Sequence, residues 1–305
     1  MREYKPVCVL GLPIRIIDAA VLGGLVFFLL LAAVFSGRLD EPLSLIGRGL
    51  LTASLYTASI LWLTRLTSRP LRFLVRTAFV QFMFLQEYFM ARDLQLIFFS
   101  WNDELVLTWE KALFGGQPLV WIQKFYSPAL TEWMMFVYVV YIAIYPVLGA
   151  VIFFRRGEQT NEDYLFHLGA ANLLCGLGFI LFPVAGPLRF EEARSLLAVP
   201  FEGGFFTQVS ELIRSTVHAP GGTIPSPHCA VATVMWIMAW RYARREFYFL
   251  APVILSLYVS TVYGRFHYAS DSIIGILAGF LVLAAGPTLV RGWNRWADCR
   301  AGRRR

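Results

Sequence analysis

Apolar runs of about twenty residues recur along the chain, and few folds are open to a polypeptide built this way. A helix rises ~1.5 Å per residue, so one such run matches the ~30 Å hydrocarbon thickness of a bilayer. Eight stretches read as transmembrane helices, roughly 18–36, 46–64, 73–92, 131–153, 164–184, 226–241, 247–264 and 271–290. The third carries Arg76, Gln81 and Glu87, and the sixth is short and begins in polar sequence. The first run is too long for a removable signal peptide and lacks a small-residue cleavage site, so it reads as a retained span. Hydrophobic residues make up 57% of the chain and charged residues only 15%, against ~25% charged in an average soluble domain. A soluble globular enzyme is thereby excluded. The expected fold is all-α, a polytopic integral membrane protein with residues 1–305 as a single membrane domain.

The net charge of +7 suggests nucleic acid until the charges are placed. Lys and Arg accumulate in cytoplasmic loops. With the N-terminus inside, Arg2, Lys5 and Arg15, then Arg65, Arg69, Arg72 and Arg76, Arg155 and Arg156, Arg241, Arg244 and Arg245, and six arginines from Arg291 onward all fall on one side. That side holds 18 of the 27 basic residues, and the other holds nine together with 13 of the 20 acids. The bias persists through every alternate loop. It predicts eight spans with both termini cytoplasmic and reads the basic residues as topological anchors, with no nucleic-acid groove. The four cysteines are not placed to form a disulfide.

Two outer loops are long. Residues 93–130 set Trp101, Trp109 and Trp121 among Asp103, Glu104, Glu110, Lys111 and Lys124. This amphipathic mixture suits a helix or re-entrant segment at headgroup level. Residues 185–225 are rich in Gly and Pro and carry Arg189, Glu191, Glu192, Arg194 and Arg214. Long loops of this kind tend to carry function.

Chemistry has few candidates. The histidines are His167, His218, His228 and His267. His228 lies just inside the outer end of the sixth span and His267 at the outer end of the seventh. The 39 positions that separate them form a hairpin that descends, turns through the basic segment at 241–246 and returns, so both histidines arrive at one depth on the outer side. Asp271 follows His267 by four residues, which on a helix puts both on one face. A carboxylate against one imidazole nitrogen fixes the tautomer and raises the basicity of the other nitrogen. A second histidine across the reacting centre then serves as an acid for a leaving group. Ionisable groups at membrane depth are costly and mark function by default. His167 follows the acidic cytoplasmic segment and reads as structural, whereas His218 lies on the outer side with no partner at helical spacing and reads either as a plain interfacial residue or as one lining a substrate entrance. Cys229 points about 100° around the helix from His228 and is set aside as a nucleophile.

At these residues the chain resembles the type-2 phosphatidic acid phosphatase superfamily. Pro225-Ser226-Pro227-His228 is similar to the family's second motif, Pro-Ser-Gly-His, and GRFHYASD supplies the His-x-x-x-Asp of its third in His267 and Asp271. The resemblance implies a six-helix core in which His267 is a phosphorus-attacking nucleophile, Asp271 its support and His228 the acid, with no metal or other cofactor. The family's first motif, Lys-x6-Arg-Pro, is absent, and Thr261 stands where the third motif has arginine. These departures resemble the branch of inositol phosphorylceramide and sphingomyelin synthases, as do LFGGQPLVWI (113–122) and FPVAGPLRF (182–190). The resemblance covers about 95–290. On this reading 1–72 lies outside the core, 93–130 is interfacial and 131–290 is the catalytic core.

A phosphoryl transition state needs donors for its equatorial oxygens. Arg189 and Arg265 are candidates, as are Ser226 and the backbone N–H groups opening the sixth span. The leading expectation is a membrane phosphotransferase on the extracytoplasmic face, periplasmic, extracellular or Golgi-luminal, that moves a phosphoalcohol headgroup from a phospholipid donor to a lipid-alcohol acceptor. A lipid phosphatase acting on phosphatidic acid or a polyprenyl diphosphate differs only in using water. A transporter would place charges or broken helices at mid-membrane in several spans, whereas here the ionisable residues cluster at one face.

Overall fold

The computed structural model describes residues 4–217 and 220–302. A short antiparallel hairpin, β1 (Val7–Val9) and β2 (Leu12–Ile14), precedes twelve α-helices. These are α1 (Ile16–Val34), α2 (Pro42–Arg65), α3 (Arg69–Asp93), α4 (Asp103–Phe114), α5 (Pro118–Ile122), α6 (Pro128–Arg156), α7 (Glu158–Leu181), α8 (Glu191–Ser195), α9 (Phe205–Val217), α10 (Pro227–Tyr242), α11 (Arg244–Tyr263) and α12 (Ala269–Gly302).

The chain is therefore all-α, of membrane type. Helices occupy all eight expected spans, and five of them, α1, α6, α7, α11 and α12, are long and apolar enough to cross a membrane by length and composition. The other three differ for separate reasons. Basic residues interrupt α2 (Arg48, Arg65) and α3 (Arg69, Arg72, Arg76). At 16 residues, α10 is only about 24 Å long. It is instead the centre of the bundle, packed on α6, α7, α11 and α12, with Cys229 to Met235 buried without a break. A helix apolar on all sides is one enclosed by protein. The other hub is α7, which α1, α3, α6, α10 and α12 all touch.

Two features set the geometry of the site. The first is the crossing of α10 and α12. A Cβ on Gly275 would lie 2.5 Å from the Ser226 carbonyl oxygen and one on Gly279 2.6 Å from that of Ala230, so only glycine permits this approach. The second is a buried ion network at the opposite end. Arg76 donates to both oxygens of Glu162 (2.9 and 2.6 Å) and to Asp18, which also accepts from the Tyr56 hydroxyl. Arg15 reaches the same Glu162 at 2.6 Å. Arg76, read from sequence as a loop anchor, is thus only 5% exposed, and its charge is compensated where α1, α2, α3 and α7 meet. At that end the chain's two terminal regions also touch, the Trp293 indole N–H donating to the Lys5 carbonyl at 2.8 Å.

Candidate active site

The turn from α11 into α12 builds half of the site. The Thr261 carbonyl accepts the N–H groups of both Phe266 and His267 at 3.0 Å, and Arg265 between them adopts φ +64°. This tight reversal delivers His267 immediately before α12 and Asp271 into its first turn. Asp271 Oδ2 accepts the Tyr268 backbone N–H at 3.0 Å and lies 3.4 Å from His267 Nδ1. Asp271 is fully buried and His267 is 3% exposed.

The other half comes from the start of α10. Ser226 is its N-cap, the hydroxyl accepting the Cys229 N–H at 3.4 Å, and Pro227 occupies the first turn, where its missing N–H costs nothing. The Ser226 N–H donates to the Asp271 carbonyl at 3.0 Å, so the two helix starts are tied directly. His228 then faces His267, with Nδ1 3.3 Å from the other ring's Nε2. Its ring stacks on Tyr138 of α6 (4.8 Å, 26°), which stacks in turn on Phe266 (4.1 Å, 12°). The order Asp271–His267–His228 forms a continuous relay. With the Nδ1 proton of His267 held by the carboxylate, the lone pair of Nε2 points at the space shared with His228.

Helix α4 supplies support that the sequence reading did not find. Asp103 is completely buried. Its carboxylate accepts the backbone N–H groups of Ala185 (2.7 Å) and Gly186 (2.9 Å) and the Tyr268 hydroxyl (2.9 Å). It thereby ties the loop after α7 to the residue next to His267. Gly186 sits at φ +93°, and a Cβ there would lie 2.9 Å from Thr223 Cγ2. Glu110, also buried, accepts from the Ser270 N–H (2.9 Å) and hydroxyl (3.1 Å) and so caps the start of α12. Burial is the main cause that raises the Glu110 carboxyl above its usual range, and the proximity of Asp271 adds to it. Burial likewise raises the Tyr268 phenol, with the Asp103 charge next. A signal was present: Asp103, Val106, Leu107 and Glu110 are the buried residues of α4, so both acids fall on its apolar stripe at helical spacing.

The two histidines open onto a cleft lined also by Arg189, Arg214 and Arg265. Arg265 is held firmly. Its Nε donates to the Tyr126 hydroxyl at 3.2 Å and its Nη2 to the Val199 carbonyl, while its guanidinium lies 5.1 Å from the Tyr126 and Phe201 ring centres. Arg189 is placed by a turn in which its own N–H bonds the Gly186 carbonyl at 3.0 Å. Ser226 is buried behind the cleft as a helix cap. Arg214, named from sequence only as a loop charge, enters the cleft from α9. Thr261 is committed to Ser272 (2.8 Å between hydroxyl oxygens), and the buried Cys229 thiol lies 3.9 Å from the Thr261 hydroxyl. His167 belongs to the far end of the bundle, its Nδ1 2.7 Å from the Asp163 carbonyl. His218 lies outside the described residues. Among the described residues no cluster of three or more His, Cys, Asp or Glu side chains is arranged to hold a metal ion.

A family model described as the PAP2 superfamily matches residues 103–285, more than half of the chain. The match begins at Asp103 and takes in α4 through most of α12, with every residue of the relay and the cleft arginines. No curated protein and no solved structure matches the chain.

Proposed function

This chain belongs to the PAP2 superfamily, and we propose that it is an integral-membrane lipid phosphotransferase. It moves a phosphoalcohol headgroup from a phospholipid to a lipid hydroxyl through a phosphohistidine, as the inositol phosphorylceramide synthase branch does. The superfamily carries phosphatase and phosphotransferase chemistry on lipids. The observation that carries the finer reading is the Asp271–His267–His228 relay, with contacts of 3.4 and 3.3 Å, opening onto three arginines.

In the first half-reaction His267 Nε2 forms a bond to phosphorus as the bond from phosphorus to the diacylglycerol oxygen breaks. The departing electron pair takes a proton from His228, and diacylglycerol leaves. Asp271 holds the Nδ1 proton and balances the charge on the imidazole as it becomes cationic. In the second half-reaction the acceptor hydroxyl gives its proton to His228 while its oxygen attacks phosphorus and the N–P bond breaks. Charge on the equatorial oxygens is met by the arginines of the cleft and the N-terminus of α10. Thr261 supports this division of labour, since its side chain is spent on Ser272 and the positive charge must come from elsewhere. The alternating bias of basic residues, together with the meeting of the terminal regions at the end away from the relay, supports an extracytoplasmic site and cytoplasmic termini.

The test is to incubate the purified protein with labelled phospholipids, with and without lipid alcohols, and to identify products by mass. Diacylglycerol plus a new phosphoalcohol lipid that requires the acceptor is expected. Phosphate or phosphoalcohol release indifferent to acceptor would make water the acceptor and overturn the transferase assignment. Turnover that persists in His267→Ala would overturn the nucleophile.

A further inference from the structure

Arg214 enters the cleft on a helix built to hold it there. The N-terminus of α9 is fastened by Glu132 of α6, whose carboxylate accepts the backbone N–H groups of Gly204, Phe206 and Thr207. Thr207 and Ser210 are buried, while Phe205 and Leu212 are 68% and 66% exposed. The helix thus buries Thr207 and Ser210, packs Phe206 on Phe136 of α6 and leaves Phe205 and Leu212 facing outward, as a helix lying at a bilayer surface does. Along the inward side, one turn beyond Ser210, comes Arg214.

The guanidinium is not presented bare. Glu211, three residues earlier, accepts from both Nε (3.0 Å) and Nη2 of Arg214 on a single oxygen, Oε2. That fixes the plane of the guanidinium and occupies one of the edges that can grip a phosphate with two parallel hydrogen bonds. What remains for a ligand is the end-on edge, Nη1 with the second N–H of Nη2, with a carboxylate directly behind it. A phosphodiester distributes one negative charge over two non-bridging oxygens and is served by that edge and by Arg189. A phosphomonoester carries a second charge and a third free oxygen, and that charge would face Glu211.

We propose that Arg214 is a phosphate-binding residue of the cleft and that Glu211, by occupying one edge of it, makes the site select phosphodiester over phosphomonoester lipids. This rests on the proposed function and narrows it, naming the anionic class that the relay receives. Discrimination would then come from an element that repels the wrong substrate as well as one that attracts the right one.

The experiment uses the full-length protein in mixed micelles with a lipid-alcohol acceptor in excess, and with acyl-labelled phosphatidylinositol as the diester and acyl-labelled phosphatidic acid as the monoester. Both yield labelled diacylglycerol, so one readout serves for the two. The wild type is expected to favour the diester. Arg214→Gln is expected to lower kcat/KM on the diester about tenfold or more, mainly through KM, as loss of a charge-assisted hydrogen bond does. Glu211→Gln keeps the shape of the side chain and removes its charge, and is expected to shift the ratio of the two kcat/KM values toward phosphatidic acid by about tenfold. An unchanged KM in Arg214→Gln, or an unchanged ratio in Glu211→Gln, would overturn the proposal while leaving the relay intact. A wild type that releases diacylglycerol from neither lipid would overturn the proposed function and this inference with it.

Discussion

Replacing Gly275 with alanine tests whether the α10–α12 crossing, rather than the site residues alone, sets the catalytic geometry. The added Cβ would lie 2.5 Å from the Ser226 carbonyl oxygen, 3.0 Å from Cys229 Cβ and 3.1 Å from Ser226 Cβ. Restoring an ordinary contact of about 3.5 Å at the carbonyl requires the helices to part by about 1 Å. That oxygen accepts the Ala230 N–H, and the Ser226 N–H bonds the Asp271 carbonyl, each at 3.0 Å, so the movement acts on both helix starts. The 3.3 Å distance from His267 Nε2 to His228 Nδ1 is set by the same crossing and would open with it. A misplacement of about 1 Å costs roughly 10²-fold in rate, or about 2.7 kcal/mol of transition-state stabilisation. Overpacking a buried contact costs about 1–3 kcal/mol of stability, partly offset by the ~0.5–1 kcal/mol by which alanine is favoured over glycine in a helix. Gly275→Ala is therefore expected to stay folded and to lose about two orders of magnitude in kcat, with smaller effects on KM. Gly292, in the same helix, has no heavy atom within 4 Å of an added Cβ, and Gly292→Ala is the matched control, expected to turn over as the wild type does. The assay is diacylglycerol release from labelled phospholipid, with thermal unfolding measured on the same preparations. Wild-type turnover in Gly275→Ala, or equal damage from Gly292→Ala, would refute the reasoning.

Asp103→Asn keeps the size of a fully buried side chain but leaves one fewer oxygen to accept from Ala185, Gly186 and Tyr268. It should lower thermal stability by about 1–3 kcal/mol, the cost of a buried donor left unpaired, and reduce kcat. A thermal scan with parallel rate measurements checks both. Because the Glu110 carboxyl is raised chiefly by burial, its neutral form is favoured in the folded protein. Its contribution to stability is present below the ordinary carboxylate range and lost as pH rises through the raised value. Glu110→Gln should flatten that loss, which unfolding measured across the weakly acidic range would show. Arg76→Met leaves Asp18 and Glu162 without their shared cation among the buried groups of the far end, at a cost of about 3–5 kcal/mol. The yield of folded protein should fall while kcat per folded molecule holds, since the network lies at the end opposite the relay.

The spans and the relay were legible because both are local in sequence or nearly so. Apolar runs of bilayer length force helices whatever they pack against, since a backbone in hydrocarbon must satisfy its own hydrogen bonds. The spacing of His267 and Asp271 needs only one turn, and a hairpin of two helices joined by a short turn must return His267 to the level of His228. The three helices that depart from the apolar criterion show where this logic stops. The composition of α10 is that of a marginal span, yet it is the most enclosed helix of the site. The burial of Arg76 in α3 was equally invisible, because compensation by Asp18 and Glu162 joins residues 58 and 86 positions apart.

What the chain's sequence determined by itself was the class of fold, the alternation of basic residues and the trio of His228, His267 and Asp271 that the fold brings together. What only the tertiary structure decided was the use of everything between the spans. Asp103 and Glu110 read only as charges of an interfacial amphipathic segment, and become clamps on the loops around His267 once α4 folds against the start of α12. Ser226 and Arg265 read as phosphate ligands, and the fold adds what no spacing shows, that the first caps α10 and the second is held in the cleft by Tyr126 and Val199. Arg214 read as one loop charge among several, and reaches the cleft because Glu132 anchors α9 across the site. The division has one physical cause. Transfer from water to bilayer acts on each segment by its own composition, whereas the partner of a polar group is fixed by long-range packing that no segment encodes alone.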